Sequence, residues 1–288
     1  MFSINPFIPP DGITVEQYRP TLASAFKAAF DMPSPLDSLF ENTISRTYTA
    51  YGWRSYSKAT DSDVHPFGLY EFICEFRKML AQTGYGKEVM GNLQSGGTLR
   101  LMNLIEQNPI LYDTISTIPL GDLLKKPTVI ELNAIENQQQ KALLMALLLI
   151  QVCAYTKHEQ NSNGQLRNIL LIDEAHVLLD AQSGNSPGEK QGESMTSLAL
   201  QNMVAEIRSY GTGIIIADQS ALRVGSGIRA NTDIKVAFQL VARSEKEAIA
   251  DCTNMSEAQR DALGALEKGQ AYVFFLGLNS PQVVITPD

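Results

Sequence analysis

The sequence predicts an α/β fold, in which helices wrap a mostly parallel sheet and a helical insertion lies near the amino end. From residue 126 onward, short apolar segments alternate with stretches of helical periodicity, which is typical of a parallel sheet. Segment 168–173 contains four consecutive apolar residues, 169–172, as a strand covered on both faces requires. Strand signals are scarce between residues 33 and 123, where apolar residues recur at helical spacing.

The first part of the chain is predicted to be helical. Residues 1–12 contain three prolines and are predicted to form an extended entry segment. Thr14 and Gln17 resemble a capping box at the start of the first helix, and Pro20 is predicted to end or kink this helix. Further helices are predicted around residues 36–40, 67–80 and 89–104.

The second part carries the sheet. Residues 180–194, rich in Gly, Ser, Gln and Glu, are predicted to be a mobile loop. Strands are predicted at residues 128–133, 168–173, 213–218, 235–241, 270–275 and 282–286, and helices at 138–156, at 195–209 and after Ser256. We therefore expect a single, incomplete domain over 1–288, with an insertion at 33–123 and the chemistry-bearing half of the sheet at 126–288.

Composition limits the class of protein. The net charge of −8 argues against a broad basic face for nucleic acid, although a few basic loop residues per subunit of a ring would suffice to grip a strand. The three cysteines show no paired spacing and lie apart from the three histidines, so we expect neither a disulfide framework nor a zinc site. No apolar run reaches the roughly 18 residues of a membrane span. These features predict a cytoplasmic protein.

Two adjacent carboxylates lie at the end of the predicted apolar strand 168–173 and are the most informative feature of the sequence. Parallel sheets place their binding residues at the carboxyl ends of strands. In a nucleotide hydrolase, Asp173 would hold Mg²⁺, because hard divalent cations prefer carboxylate oxygens. Glu174 would orient and polarise the water that attacks the γ-phosphate. The alternative interpretation is a buried strand that ends in a solvated acidic turn.

Four segments, in order along the chain, support the interpretation of Asp173 and Glu174 as a nucleotide-hydrolase site. Residues 5–14, 168–179, 206–220 and 228–240 resemble successive motifs of the HerA/FtsK-type ATPases, which are DNA pumps of the additional-strand, RecA-like branch of P-loop proteins. Segment 168–179 resembles the Walker B region of that family. Segment 206–220 resembles its helix, glycine turn and sensor strand. The resemblance covers most of the chain and implies a RecA-like fold.

The resemblance implies roles for further residues. Gln219 would sense the γ-phosphate, unless it is a strand-end amide that binds a loop backbone. Arg243, or alternatively Arg229, would bind phosphate in cis or across a subunit interface, although a surface salt bridge explains Arg243 nearly as well. His176 is expected to pack within the following helix. Asp218 departs from the small hydroxyl residue expected at its position.

One motif of P-loop proteins is missing from these residues. No Gly-x-x-x-x-Gly-Lys-Ser/Thr sequence occurs, and the nearest match, at 84–88, has Glu88 where Ser or Thr is required. The resemblance implies ATP and Mg²⁺ as cofactors, but the groups that hold the phosphates are not identifiable here. We therefore expect that the chain begins after its own P-loop and is inactive alone.

The resemblance implies a DNA translocase or helicase motor. Such a motor hydrolyses ATP at the subunit interfaces of a homo-oligomeric ring, expected to be a hexamer, and moves double-stranded DNA. A nuclease or a defence effector is the implied partner. Two alternatives stay open at this point. The first is a non-catalytic subunit that keeps the ATPase fold for ring assembly or partner docking, and the second is a conjugation ATPase of the TraG type.

Overall fold

The computed structural model describes residues 3–30, 32, 34–112, 114–118, 120–158, 165–179 and 206–286. The chain divides into two compact units. The first unit comprises residues 1–170 and 181–214, and the second comprises residues 171–180 and 215–288.

The first unit is mainly helical. Its helices are α1 (Val15–Phe30), α2 (Leu36–Ala50), α3 (Leu69–Gln82), α4 (Lys87–Leu93), α5 (Arg100–Gln107), α6 (Pro109–Tyr112), α7 (Leu120–Leu124) and α8 (Gln138–His158), with a π-helical turn at Gln94–Leu99 between α4 and α5. Helix α1 packs against α8, and α2 packs against α3.

An aromatic cluster fills the space among α1, α2 and α3. The Phe72 ring is fully buried, and its centroid lies 4.8 Å from that of Phe7 and 4.9 Å from that of Phe40. Trp53, the only tryptophan of the chain, is also buried and donates its indole N–H to His65 O at 2.9 Å. The indole ring packs edge-on against Tyr48. Burial of this many aromatic rings makes the cluster a major contributor to the stability of the unit.

Two strands begin in the first unit and end in the second, β1 (Asn168–Ile172) and β2 (Thr212–Ile216), with the short helix α9 (His176–Leu179) after β1. The two strands are neighbours in one sheet. Arg167 N donates to Gly211 O at 2.8 Å, and Ala217 N donates to Ile172 O at 2.9 Å. Since the partners advance together along both strands, the pair is parallel and both carboxyl ends lie at one edge.

The rest of the second unit combines short helices with an antiparallel sheet. Its elements are α10 (Ser226–Asn231), β3 (Ile234–Ala237), α11 (Arg243–Ala250), α12 (Glu257–Ala262), a 3₁₀ turn (Leu263–Ala265), β4 (Gln270–Phe275) and β5 (Gln282–Ile285). The strand order is β3–β4–β5, with both pairs antiparallel. Ala237, Leu263, Leu266 and Tyr272 form a small buried core against the sheet.

Most predicted helices and strands are present in the described residues. The predicted capping signal at Ser256 is confirmed, because its hydroxyl accepts from Gln259 N and its own N–H donates to Gln259 Oε1 at 3.0 Å. Helix α1 continues through Pro20 to Phe30, so this proline does not end the helix, and the alternative of a kink stays a prediction. Within the described ranges every helix is too short or too polar to cross a membrane. Cys74, Cys153 and Cys252 form no disulfide with one another.

The predicted strand at 128–133 is absent. These residues have irregular backbone, and Val129 is 86% exposed. An apolar segment becomes a strand only when its N–H and C=O groups pair with a neighbour, and among the described strands none pairs with this one. The predicted loop at 180–194 and most of the predicted helix at 195–209 lie outside the described residues, although residues 206–208 are helical.

Candidate functional site

Polar residues gather at the carboxyl ends of β1 and β2. Asp173 and Glu174 follow β1 directly, whereas Asp218 and Gln219 follow β2 after one intervening alanine. All four belong to the second unit. The parallel pairing of β1 and β2 explains why residues 45 positions apart in sequence come together, because both strands end at the same edge.

Glu174 contacts two side chains at this edge. Its Oε1 accepts a hydrogen bond from Gln219 Nε2 at 2.7 Å, and its Oε2 lies 3.3 Å from His176 Nδ1. The Glu174 side chain is 45% exposed, so solvent can reach the carboxylate. The backbone of Glu174 has φ 51°, in the left-handed region, which costs a residue other than glycine on the order of 1 kcal/mol or more.

Asp173 is exposed, and its Oδ1 accepts from the N–H of Glu174 at 3.0 Å. Mg²⁺ at nucleotide sites commonly takes one or two carboxylates and fills its other positions with phosphate oxygens and water. An exposed carboxylate whose second oxygen is accessible fits this requirement. No cluster of three or more Asp, Glu, His or Cys residues suited to a metal occurs in the part of the chain that the structure describes, so a metal cage made of protein alone does not form there.

His176 and Asp218 form the less exposed part of the same edge. The Asp218 side chain is only 2% exposed, and its Oδ2 accepts from His176 N at 2.7 Å and lies 3.0 Å from His176 Nδ1. Its Oδ1 accepts from Ser220 N at 2.9 Å. Asp218 therefore ties the turn after β1 to the turn after β2.

The turn after β2 is held from its far side by α11. Ser220 Oγ donates to Glu245 Oε1 at 2.7 Å, and Leu222 N donates to Glu245 Oε2 at 3.2 Å. Arg229, in α10, donates from Nη1 to the carbonyl oxygen of Ala221 and lies 3.4 Å from that of Leu222. The turn that carries Gln219 is thus fixed by hydrogen bonds on both sides.

The two predicted phosphate-binding arginines occupy different settings. Arg229 donates to the backbone of the turn described above, in the same neighbourhood as Gln219. Arg243 is 88% exposed and pairs with Glu247, one helical turn on, through Nε and Oε1 at 2.7 Å. The hydrogen bond with this carboxylate raises the pKa of Arg243 above its ordinary value. The structure therefore brings Asp173, Glu174 and Gln219 together and gives both arginines other partners.

Replacing Arg229 by Ala is expected to loosen the turn at residues 221–223, because two carbonyl groups lose a charged donor. The expected loss of local opening free energy is about 1–3 kcal/mol. Arg243→Ala is the matched control, and it should leave this turn unchanged because exposed ion pairs contribute little. Amide hydrogen exchange in residues 220–225 measures both effects. Equal protection in the two variants would contradict the structural role of Arg229.

The sequence alone did not reveal two residues of this edge. His176 was expected to pack within the following helix, but it hydrogen-bonds to Asp218 and approaches Glu174. At position 218 the sequence shows only a departure from the small hydroxyl residue that the resemblance implies. That departure was the available signal, since a carboxylate at a buried strand end must find donors nearby.

Comparison with known proteins supplies sequence relatives. No family model matches the chain. It is 22% identical over 192 residues to the DNA double-strand break repair helicase HerA of Sulfolobus acidocaldarius, a match that covers 64% of this chain and 37% of the relative. HerA of Saccharolobus solfataricus is 21% identical over 207 residues, and this match covers 68% of this chain and 40% of the relative. The chain thus spans well under half the length of these relatives.

Solved structures supply the fold. VirB4 of Thermoanaerobacter pseudethanolicus superposes with a TM-score of 0.69 at 16% identity, over 99% of this chain and 74% of that protein. The plasmid coupling protein TrwB, in complex with ADP and Mg²⁺, superposes with a TM-score of 0.61 at 12% identity, over 100% of this chain and 71% of that protein. These matches confirm the predicted RecA-like α/β fold class. Together with the weak but consistent similarity to HerA, they also confirm the resemblance to HerA/FtsK-type P-loop ATPases.

Proposed function

We propose that this chain forms the metal- and water-handling part of an ATP-driven DNA motor of the HerA type. The observation that carries the proposal is the 2.7 Å hydrogen bond from Gln219 Nε2 to Glu174 Oε1, at the carboxyl ends of two neighbouring parallel strands. Ligands of open α/β sheets bind at such ends. The similarity to HerA in sequence and to TrwB in fold supports the same assignment.

In this proposal each side chain has one task. Asp173 would hold Mg²⁺, and Glu174 would orient the attacking water through an oxygen of its exposed carboxylate. Bound ATP and Mg²⁺ would supply the phosphoryl group and neutralise its charge. A glutamine amide nitrogen carries two N–H groups, so Gln219 can donate to Glu174 and still offer a donor to a phosphate oxygen.

The arginine assignment follows from the contacts described above. Arg229 donates to the backbone of the turn, so its guanidinium already has a structural task. Arg243 keeps an exposed guanidinium, and we propose that it is the arginine that acts on phosphate. Because the sequence contains no phosphate-binding loop, the site also needs backbone N–H groups and a lysine from outside these 288 residues.

The wider assembly is part of the same proposal. The HerA relatives are named as DNA double-strand break repair helicases, which favours double-stranded DNA as the substrate. We propose a ring of identical subunits, a hexamer, that works with a nuclease or another effector. We also propose that this motor works in the cytoplasm.

The direct test measures ATP hydrolysis by the protein isolated from its source cells with its native partners. We expect hydrolysis that requires Mg²⁺ and that double-stranded DNA stimulates. The 288-residue chain on its own is expected to be inactive and serves as the background. Hydrolysis by the native assembly that neither Mg²⁺ nor DNA affects would overturn the proposal.

A second candidate function is a non-catalytic subunit for ring assembly or partner docking. Under this alternative the chain would keep the ATPase fold without binding nucleotide. The two functions differ in what happens when Asp173 is changed to Asn in the native assembly. Loss of Mg²⁺-dependent hydrolysis supports the motor, whereas unchanged hydrolysis with an intact assembly supports the non-catalytic subunit.

A further inference from the structure

Asp218 is a buried carboxylate whose hydrogen bonds all lead to the edge of the candidate site. A carboxylate removed from water is unfavourable unless donors surround it. The Asp218 side chain is 2% exposed and faces three donors, namely the N–H of His176 at 2.7 Å, the N–H of Ser220 at 2.9 Å and the ring Nδ1 of His176 at 3.0 Å. The residue is therefore fully satisfied only when both turns and the His176 ring hold these positions.

The contacts of His176 fix the position of its ring proton. An ionised carboxylate can only accept hydrogen bonds, so the nitrogen that faces it must carry the proton. His176 Nδ1 faces Asp218 Oδ2 at 3.0 Å and Glu174 Oε2 at 3.3 Å. Both neighbours are acceptors, so Nδ1 carries the proton and the ring lies between the two carboxylates.

Both oxygens of Glu174 consequently have a polar neighbour. Gln219 donates to Oε1 at 2.7 Å, and the Nδ1–H of His176 lies next to Oε2. The backbone of Glu174 lies in the left-handed region, which is unfavourable for residues other than glycine. The turn therefore needs a restraint to keep this conformation. The N–H of His176, two residues on, supplies that restraint through Asp218.

We propose that Asp218 is a positioning residue that acts on Glu174 through His176. It selects the tautomer of the ring and holds the turn after β1, so that the Glu174 carboxylate keeps one orientation opposite Gln219. This inference rests on the proposed role of Glu174 in orienting water. A serine or threonine hydroxyl at 218 has a single oxygen, whereas the aspartate uses one oxygen for His176 and the other for Ser220.

The first test does not depend on catalytic activity. Long-range proton–nitrogen NMR spectra of the ¹⁵N-labelled chain report the tautomer of each of its three histidines, and His176→Ala assigns the signal. We expect the Nδ1-protonated form for His176, and a shift towards the Nε2-protonated form in Asp218→Asn. Asp251→Asn, an exposed change in the same unit, should leave the signal unchanged. An Nε2-protonated ring in the unchanged protein would overturn the proposal.

The second test measures catalysis in the native assembly. Loss of a partner that orients a reacting group typically lowers activity about 10-fold to 100-fold. We therefore expect Asp218→Asn to lower kcat by this factor and to leave KM for ATP unchanged. Because Asp218 acts through His176, Asp218→Asn should cause little further loss of kcat in a protein that already carries His176→Ala. A purely structural role would lower the amount of folded protein without this dependence on His176.

The outcomes separate this inference from the proposed function. Unchanged hydrolysis in Glu174→Gln would refute the proposed role of Glu174, whatever Asp218 does. Abolished hydrolysis in Glu174→Gln with unchanged kcat in Asp218→Asn would overturn the positioning role alone. Should Asp218→Asn fail to fold, Asp218→Ser retains one acceptor, and the tautomer of the unchanged protein still decides the first test.

Discussion

Glu174→Gln is expected to abolish ATP hydrolysis by the native assembly and to leave nucleotide binding intact. Gln has the same size as Glu, and its carbonyl oxygen can still accept the hydrogen bond that Gln219 donates at 2.7 Å. The substitution removes the negative charge that orients and polarises water. General bases contribute about 100-fold to 10,000-fold, so the rate at saturating ATP should fall by that factor.

The matched control for this prediction is Glu267→Gln. Glu267 is an exposed carboxylate of the same unit, so the control makes the same change of charge away from the site. We expect its hydrolysis rate to equal that of the unchanged protein. A loss of less than about tenfold in Glu174→Gln would show that Glu174 is not the general base, since such catalysts contribute at least 100-fold. The non-catalytic alternative would then be favoured.

The proximity of the main site residues followed from a rule about sheets. Asp173 and Gln219 each follow an apolar segment that the sequence predicts as a strand, and the carboxyl ends of parallel strands share an edge. The pairing of His176 with Asp218 did not follow from this rule. These residues are 42 positions apart, and their contact depends on the path of two turns, one of which contains a left-handed residue other than glycine. Such a conformation is seldom apparent from sequence.

The helices were predicted more reliably than the strands. Helices α2 and α3 depend on hydrogen bonds and apolar spacing within each segment, which sequence periodicity records. A strand depends on its neighbour, and residues 128–133 have an apolar pattern without a described partner. The antiparallel pairing of β4 with β5 could have been predicted, because only residues 276–281 connect them and a parallel crossover needs about a dozen.

Phe72→Ala is expected to have the largest effect on the stability of the helical unit. The ring is fully buried, and its centroid lies within 5 Å of those of Phe7 and Phe40 and 6.5 Å from that of Phe76. Removing a buried phenylalanine ring loses both its transfer free energy and the packing around the cavity. The expected decrease in the free energy of unfolding is about 3–5 kcal/mol.

The design of this measurement uses two features of the chain. Trp53 is the only tryptophan and is buried in the first unit, so its fluorescence during urea denaturation reports the unfolding of that unit and not of the second. Tyr70 lies on the same helix as Phe72 but is 54% exposed, so Tyr70→Ala makes a comparable change of side chain outside the cluster. It should alter the free energy of unfolding by no more than about 0.5 kcal/mol. Equal midpoints for the two variants would mean that the aromatic cluster does not hold α1, α2 and α3 together, because burial is what distinguishes the two positions.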